Sequence, residues 1–364
     1  MRKSPNLHDV AREAGVSAMT VSRFLNGSAP VGSYARQQIT RAIENLKYRP
    51  NQIAKSLQTR KTGNIAVLLG NISSPMSALT IKGIENVSFG NRYNLLIGNT
   101  EFSEEKERRY LDILMQKQID GMILAPSSKD REPLQEIIDR GIPLLFLDRH
   151  VPGVQADYVG FDFENDSYNV TEHLIDRGCR TISVICRRAD LINDSPQVKG
   201  FHRALERASI PWDRQRILYC HPSTEDAYRC MGEIMESGTR PDAVYIASNT
   251  LASGVLRYCK DKNILIPEDC MLACFDSLGE FDDLIRPNLT CNEVPAFDLG
   301  VYVAELLMRR IHDGYERPDG PQRITLPGKL LIRESTGDAG GPRTGSETGA
   351  RRQTVRVSGE AVTG

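Results

Sequence analysis

At 364 residues the chain is long enough for two or three domains and a sizeable core, and 40% apolar with 26% charged residues is the make-up of an ordinary globular protein. The formal net charge of −1 hides a split: residues 1–63 hold 11 Lys and Arg against 3 Asp and Glu, a net +8, whereas the remainder holds 35 against 44, a net −9. No apolar run approaches the 18 or so residues of a membrane span, the first residues lack the apolar core of a secretion signal, and the eight cysteines form no CxxC pair. The expectation is therefore a cytoplasmic chain with reduced, mostly buried thiols, no metal, no cofactor and no membrane contact.

Residues 7–46 read as three short helices. In "NLHDVAREAG", Asn6 is a cap, Leu7, Val10, Ala11 and Ala14 recur at helical spacing, and Gly15 is the stop. "SAMTVSRFLNG" follows at once, capped by Ser17 and ended by Asn26-Gly27. "SYARQQITRAIENLKY" is the third, with Ile39, Ala42, Ile43 and Leu46 as its inward stripe. A turn as tight as the one between the first two helices makes them cross steeply, as in a helix-turn-helix. The second helix leaves Ala18 and Met19 free to meet base edges or thymine methyls, Thr20 and Ser22 to donate to phosphates, and Arg23 to reach a guanine edge, while Val21, Phe24 and Leu25 turn inward. An ordinary surface helix with a polar face would read similarly. The +8 charge favours a polyanion partner for this segment.

Residues 51–63, "NQIAKSLQTRKTG", form a basic connector with Ile53, Ala54 and Leu57 on one apolar face, too short to be a stable helix alone in water. From 64 onward, strand-length apolar runs ("NIAVLLG", "YNLLIGN", "DGMILAP", "PLLFLD", "TISVICR", "RILYCH", "DAVYIASN", "CMLACFD") alternate with helical stretches such as "EEKERRYLDILMQKQ", "DSYNVTEHLIDRG" and "TEDAYRCMGEIMESG". That alternation predicts an α/β fold of βαβ units with parallel sheets, in two doubly wound lobes. From Gly337 the chain becomes Gly-rich and poor in apolar residues, and a disordered tail is expected over 337–364.

"DVAREAGVSAMTVSRFLNG" with "ARQQITRAIENLKYRPNQIAKSL" resembles the DNA-binding headpiece of the LacI family of bacterial regulators, and "GIPLLFLDR", "VTEHLIDRGCRTISVI", "CFDSL" and "LGVYVAELLMRRI" resemble landmarks of that family's body. The resemblance covers about residues 6–335. It implies a headpiece over 1–50, a hinge over 51–63 that becomes helical only on DNA, and a two-lobed body over 64–336 like a periplasmic sugar-binding protein, with crossovers near 162, 292 and 325. It also implies a homodimer or tetramer that meets a near-palindromic double-stranded operator, and a small effector bound between the lobes. The DNA-contacting set it implies is Leu7, Ser17, Ala18, Met19, Thr20, Ser22, Arg23, Asn26, Asn51, Ala54 and Leu57, the last as a wedge into the minor groove.

For the effector the resemblance points to Met76, Ser77, Arg149, Gln197, Asn249 and Asp276. This chain departs from the family's habits at several of them: Met76-Ser77 replaces a frequent aromatic pair, Gln197 replaces an Arg three residues before a Gly, and Asn249-Thr250 replaces an Asn-Asp pair. Gly32 stands where a Ser often begins the third helix, and Cys179 where a His is usual. Asp276, ending "MLACFD", suits paired hydroxyls of a polyol, its alternative role being a helix cap. Asp148-Arg149 reads either as an ion pair at the lobe interface or as placing Arg149 in the cleft, and Arg187 and Arg188 could supply the positive charge that Gln197 lacks. The function expected is a transcriptional regulator, a repressor released by a sugar or sugar acid. A plain solute-binding protein is the alternative. An enzyme is disfavoured: there is no strand-borne GxGxxG, P-loop or nucleophile elbow, and the six His show no catalytic spacing.

Overall fold

The computed structural model describes residues 5–26, 29–48, 61–187, 195–211, 213–313, 320–337 and 356–357. The chain divides into two compact units, residues 1–63 with 118–120, and residues 64–117 with 121–364.

In the first unit, helices α1 (Leu7–Ala14), α2 (Ala18–Asn26) and α3 (Ser33–Leu46) enclose a small core. The Asn6 side chain accepts from the amides of His8 and Asp9 at 2.9 and 3.1 Å, and the Asp9 carboxylate accepts from the Asn6 amide at 3.0 Å, so the first turn is capped reciprocally. Gly15, at φ 65°, ends α1 with a left-handed residue that costs glycine nothing. Two residues later Ser17 Oγ accepts from the Thr20 amide at 3.1 Å and starts α2. Val10, Val21 and Ile39 are fully buried together with Ala11, Ala14, Ala42 and Tyr48; Leu7, Phe24, Leu25, Ile43 and Leu46 pack partly against them. The inward faces are those the spacing predicts. Asp120 accepts from the amides of Thr62 and Gly63, each at 2.8 Å, which fixes the end of the connector.

The second unit holds two sheets. One takes β1 (Asn64–Leu69), β2 (Asn94–Asn99), β3 (Gly121–Leu124), β4 (Leu144–Leu147) and β5 (Asp157–Phe161), with β11 (Arg323–Leu326) beside β5; its order is β13-β11-β5-β4-β3-β1-β2, with β13 (Arg356–Val357) at the far edge. The other takes β6 (Ile182–Arg187), β7 (Ile217–Cys220), β8 (Ala243–Ile246), β9 (Met271–Cys274), β10 (Thr290–Glu293) and β12 (Lys329–Leu331), in the order β12-β10-β9-β8-β6-β7. Among the described residues, only β12 and β13 run antiparallel to their neighbours. Strands covered on both faces must be apolar throughout, and every residue of β3, β4 and β8 is buried.

Helices α4 (Pro75–Gly90), α5 (Glu104–Gln116), α6 (Glu132–Asp139) and α11 (Ala296–His312) serve the first sheet; α7 (Phe163–Asp176), α8 (Pro196–Arg207), α9 (Thr224–Glu236) and α10 (Ala252–Asp261) serve the second. Helices α4 and α11 touch backbone to backbone: a Cβ on Gly83 would overlap the Phe297 carbonyl, and one on Gly300 the Thr80 carbonyl. Arg310 of α11 donates to both oxygens of the fully buried Asp157 at 2.8 and 2.9 Å.

The chain passes between the sheets three times: at Asp162 between β5 and α7, at Val294–Pro295 between β10 and α11, and at Pro327–Gly328 between β11 and β12. The three passages meet at one point. The Asp166 carboxylate accepts from the Gly328 amide at 3.0 and 3.2 Å, and the Asn292 amide fills the space a Cβ on Gly328 would need. Of the expected disordered tail, Arg356–Val357 instead pair antiparallel with Thr325 and Ile324 at an open sheet edge; residues 338–355 and 358–364 lie outside the described residues. Strands β5, β10, β11 and β12 are not among the apolar runs singled out in the sequence, because each is short and three of them mix polar residues into the run.

Candidate functional site

Two regions bring the sequence-predicted residues together. The first is the outer side of α2. Met19 is 64% exposed, Ser17 and Arg23 are exposed, and Ala18, Thr20 and Ser22 are partly so, whereas Val21 is fully buried. The hydroxyls of Ser17 and Thr20 share a hydrogen bond at 2.8 Å, so Ser17 both caps the helix and orients Thr20. Phe24 is held from α3 by the Arg36 guanidinium, 5.7 Å from its ring centre. Leu7 is half-buried against the same core, which makes it as much a packing residue as a surface one. The side chain of Asn26, and all of Asn51, Ala54 and Leu57, lie outside the described residues.

The second region is where the C-terminal strand ends of the two sheets face each other, the crevice in which open α/β sheets bind ligands. On the second sheet, Asp276 follows β9 and is 8% exposed. Its Oδ2 accepts from Asn249 Nδ2 at 3.0 Å and its Oδ1 from the Ser277 amide at 2.8 Å, while Asn249 Nδ2 also reaches the Ser277 carbonyl at 3.0 Å. Burial raises the carboxyl to about 7, and the amides of Ser277 and Val294 offset only part of that. The helix-cap role expected as the alternative is taken by other residues. Ser277 Oγ accepts from the Gly279 amide at 2.8 Å, and Asp282, held by Arg333 at 2.7 Å, accepts from the Leu278 amide at 3.0 Å. Asp276 thus has no capping duty and lines a hollow of about 370 Å³ opposite Pro75, Met76 and Leu79 of α4, with Glu293, Phe297 and Lys329 on its rim.

The remaining residues lie at strand C-terminal ends or at the helix starts that follow them. Ser77 follows Met76 on α4 but does not line the hollow. Gln197 is buried at the start of α8, with its Oε1 accepting from Ser195 Oγ at 2.8 Å. Arg149, after β4, lies with its guanidinium 5.7 Å from the centre of the Phe102 ring, and Arg187, at the end of β6, lies 5.5 Å from the same ring. Asp148 has φ 59°, and its Oδ1 is buried with no hydrogen-bond partner among the described residues. Burial pushes its carboxyl to about 7 against the opposing pull of Arg149 and Arg187. Arg188 lies outside the described residues.

Phe102 is the residue that sequence reasoning missed. It follows β2 in a left-handed pair, Glu101 at φ 51° and Phe102 at φ 58°, and its ring occupies the space a side chain on Gly70 would fill. Nothing in "NTEFSEE" announces two positive φ values in succession, so only the tertiary structure places this aromatic against Gly70 and beside the two arginines.

Residues 6–51 match the family model described as bacterial regulatory proteins, lacI family, and residues 171–336 match the periplasmic binding protein-like domain. Over 332 residues, 91% of this chain and 98% of the other, the sequence is 31% identical to the HTH-type transcriptional repressor PurR of Vibrio atlanticus (strain LGP32). The chain belongs to the lacI family. As a lacI-family chain it is a DNA-binding transcriptional regulator rather than an enzyme. Among solved structures it is similar to the complex of the transcriptional regulator CelR with cellobiose, at 26% identity and a TM-score of 0.67 over 91% of this chain and 99% of that one. It shares its fold with the lac repressor dimer bound to operator and the anti-inducer ONPF, at 21% identity and a TM-score of 0.79 over 92% and 99% of the two chains. Among the described residues of this lacI-family member, no helix is long and apolar enough to cross a membrane.

Proposed function

We propose that the chain is a repressor that binds a near-palindromic operator as a dimer and is released from it by a small sugar or sugar acid held between the lobes. The parts of the chain divide this work: residues 1–50 as headpiece, 51–63 as hinge, 64–336 as effector and dimer body, and 337–364 as a tail. Its working place is then the nucleoid. In the headpiece, Met19 and Arg23 read bases, Ser17, Thr20 and Ser22 meet phosphates, and Leu57 of the hinge enters the minor groove. The observation that carries the effector half is Asp276: a buried carboxyl without a capping duty, braced by Asn249 and open to a hollow, is chemistry for the hydroxyls of a sugar. Cellobiose in the CelR complex is in line with such a ligand. For the dimer, Phe89 of α4, Ile97 of the edge strand β2 and Ile113 of α5 leave large apolar side chains on one lobe exposed, as surfaces covered by a second copy would.

A ligand shifts lobe arrangement only by its differential affinity for the two states, and a hinge helix that is marginal by itself is easily lost when its two copies change spacing. The coupling expected is about 1–3 kcal/mol against operator binding. The test is a pair of titrations, operator DNA against salt and operator DNA against candidate sugars. About six phosphate contacts per dimer give a log–log salt slope steeper than about −5. Asp276→Ala should keep operator affinity and lose the response to sugar. A salt-independent affinity removes the DNA half of this reading, and a variant that responds normally removes the Asp276 half.

A further inference from the structure

We propose that Cys220 and Cys230 form a peroxide-reactive dithiol, in which Cys230 is the attacking sulfur and Cys220 closes a reversible disulfide between the end of β7 and α9. Neither residue lines the Asp276 hollow, and the site is independent of the repressor reading.

All eight cysteines are free thiols. Cys220 and Cys230, at 6% and 7% exposure, are the two that solvent reaches most, the others being 2% exposed or less. The same two thiols are hydrogen-bonded to each other. The fold holds them there. Cys220 is the last residue of β7, the edge strand of the second sheet, and three residues link it to α9, where Cys230 sits on the inward face with Ala227, Met231 and Ile234. Ser223 Oγ accepts from the Asp226 amide at 3.1 Å and fixes the start of the helix. Helix α9 is keyed against α10: a Cβ on Gly254 would overlap the Thr224 carbonyl, and the Tyr228 and Tyr258 rings meet edge to face at 5.1 Å. Close packing of this kind keeps Cys230 beside the strand end.

A thiolate, not a thiol, attacks a peroxide, so reactivity needs access and a stabilised charge. Burial denies both to other thiols, pushing Cys179 and Cys259 up to about 11 and Cys270 and Cys291 up to about 12. Cys230 moves the other way. The hydrogen bond donated by Cys220 lowers it, helped by the Arg229 guanidinium and opposed by burial, Glu233 and Asp226; the same bond holds the proton on Cys220. The chemistry then runs in two steps. The Cys230 thiolate attacks one oxygen of hydrogen peroxide: an S–O bond forms, the O–O bond breaks, and the departing hydroxide takes the Cys220 proton to give water. The Cys220 thiolate attacks the Cys230 sulfenic acid: the S–S bond forms, the S–O bond breaks, and the second hydroxide becomes water with the proton that Cys230 had released to solvent. Two thiols are oxidised to one disulfide and the peroxide is reduced to two waters. A dithiol reductant reverses the step by exchange, and in a reducing compartment such a disulfide is transient.

The test uses the full, reduced chain and hydrogen peroxide as the probe. After brief treatment the remaining thiols are alkylated under denaturing conditions and the peptides are mapped by mass spectrometry. In the wild type, Cys220 and Cys230 should be lost to alkylation together, before the other six, and should appear as one crosslinked peptide pair that dithiothreitol returns to two alkylated cysteines. The two variants should differ. Cys220→Ser should leave Cys230 as a sulfenic acid that dimedone traps, whereas Cys230→Ser should lose both crosslink and trapping, with Cys220 alkylating as before. Circular dichroism of the reduced proteins shows whether each variant is folded, and the wild-type map needs no variant. Oxidation that begins at any other cysteine, a crosslink from Cys220 to Cys186 on the neighbouring strand β6, or full alkylation of Cys220 and Cys230 after peroxide overturns the inference. Dimedone trapping at Cys220 in the Cys230→Ser protein overturns it as well, because the attacking sulfur would then be the wrong one.

Discussion

Asp276→Asn tests how the crevice is charged. The carboxyl sits near 7 in the folded chain, raised by burial, and near 3.9 in the unfolded one. Between those values the folded state keeps a proton that the unfolded state has released. The group's contribution is therefore fully present below about pH 4 and is lost as pH rises through about 7. Three units correspond to a ceiling of about 4 kcal/mol. The carboxyl borders an open hollow that admits water, so about 1–2 kcal/mol between pH 5 and pH 8 is the working figure. Asparagine cannot ionise, and it gives up one of the two acceptor oxygens that meet Asn249 and Ser277, a loss that does not depend on pH. The informative quantity is thus the change with pH. Thermal unfolding of both proteins at pH 5 and pH 8 should show the difference in midpoint moving in the variant's favour by about 2–6 °C. Asp148 and Asp166, also raised to about 7 by burial, titrate in both proteins and cancel. A difference constant within about 1 °C across that range would refute the argument that burial keeps Asp276 protonated.

Other substitutions probe the remaining parts. Arg23→Ala should weaken operator binding by about 1–3 kcal/mol per half-site and relax one base position; equal loss on every sequence would make Arg23 a phosphate contact only. Gly328→Ala drives a methyl into Asn292 Nδ2 and to 3.0 Å from Asp166 Oδ2, so the midpoint should fall by an amount equivalent to about 1–3 kcal/mol and sugar affinity should change with it; an unaltered sugar titration would mean the meeting point of the three passages does not govern lobe movement. Asp157→Ala removes the paired charge-assisted bonds to Arg310, which is 13% exposed, and should cost about 3–5 kcal/mol in chemical unfolding, while a loss below about 1 kcal/mol would mean the arginine's other contacts and water suffice. Gly32→Ser adds a capping hydroxyl where a Cβ meets nothing within 4 Å, and the headpiece should gain a few tenths of a kcal/mol, read as a higher headpiece midpoint.

What the sequence determined by itself is what local chemistry and periodicity dictate. Asn6, Gly15 and Ser17 set helix ends because their side chains or dihedral freedom act within a few residues, and the inward stripe of α3 follows from a 3.6-residue repeat. The apolar runs of β1, β3, β4, β6, β8 and β9 announced buried parallel strands for the same reason: full burial on both faces leaves little room for polar residues. The basic charge of residues 1–63 is likewise a property of the sequence alone. Only the tertiary structure showed that Asp276 does not cap the turn after β9, because whether a carboxylate caps a turn depends on where the next amides point, and here Ser277 and Asp282 stand nearer to them. It alone brought the Phe102 ring within 6 Å of two arginines 38 residues apart in the chain, since a left-handed pair after β2 and a bare Gly70 after β1 have no signature at the spacing of either run. It alone joined Asp166, Asn292 and Gly328 at one point, because contacts across more than a hundred residues are fixed by how two sheets pack and by nothing that neighbours in sequence can express.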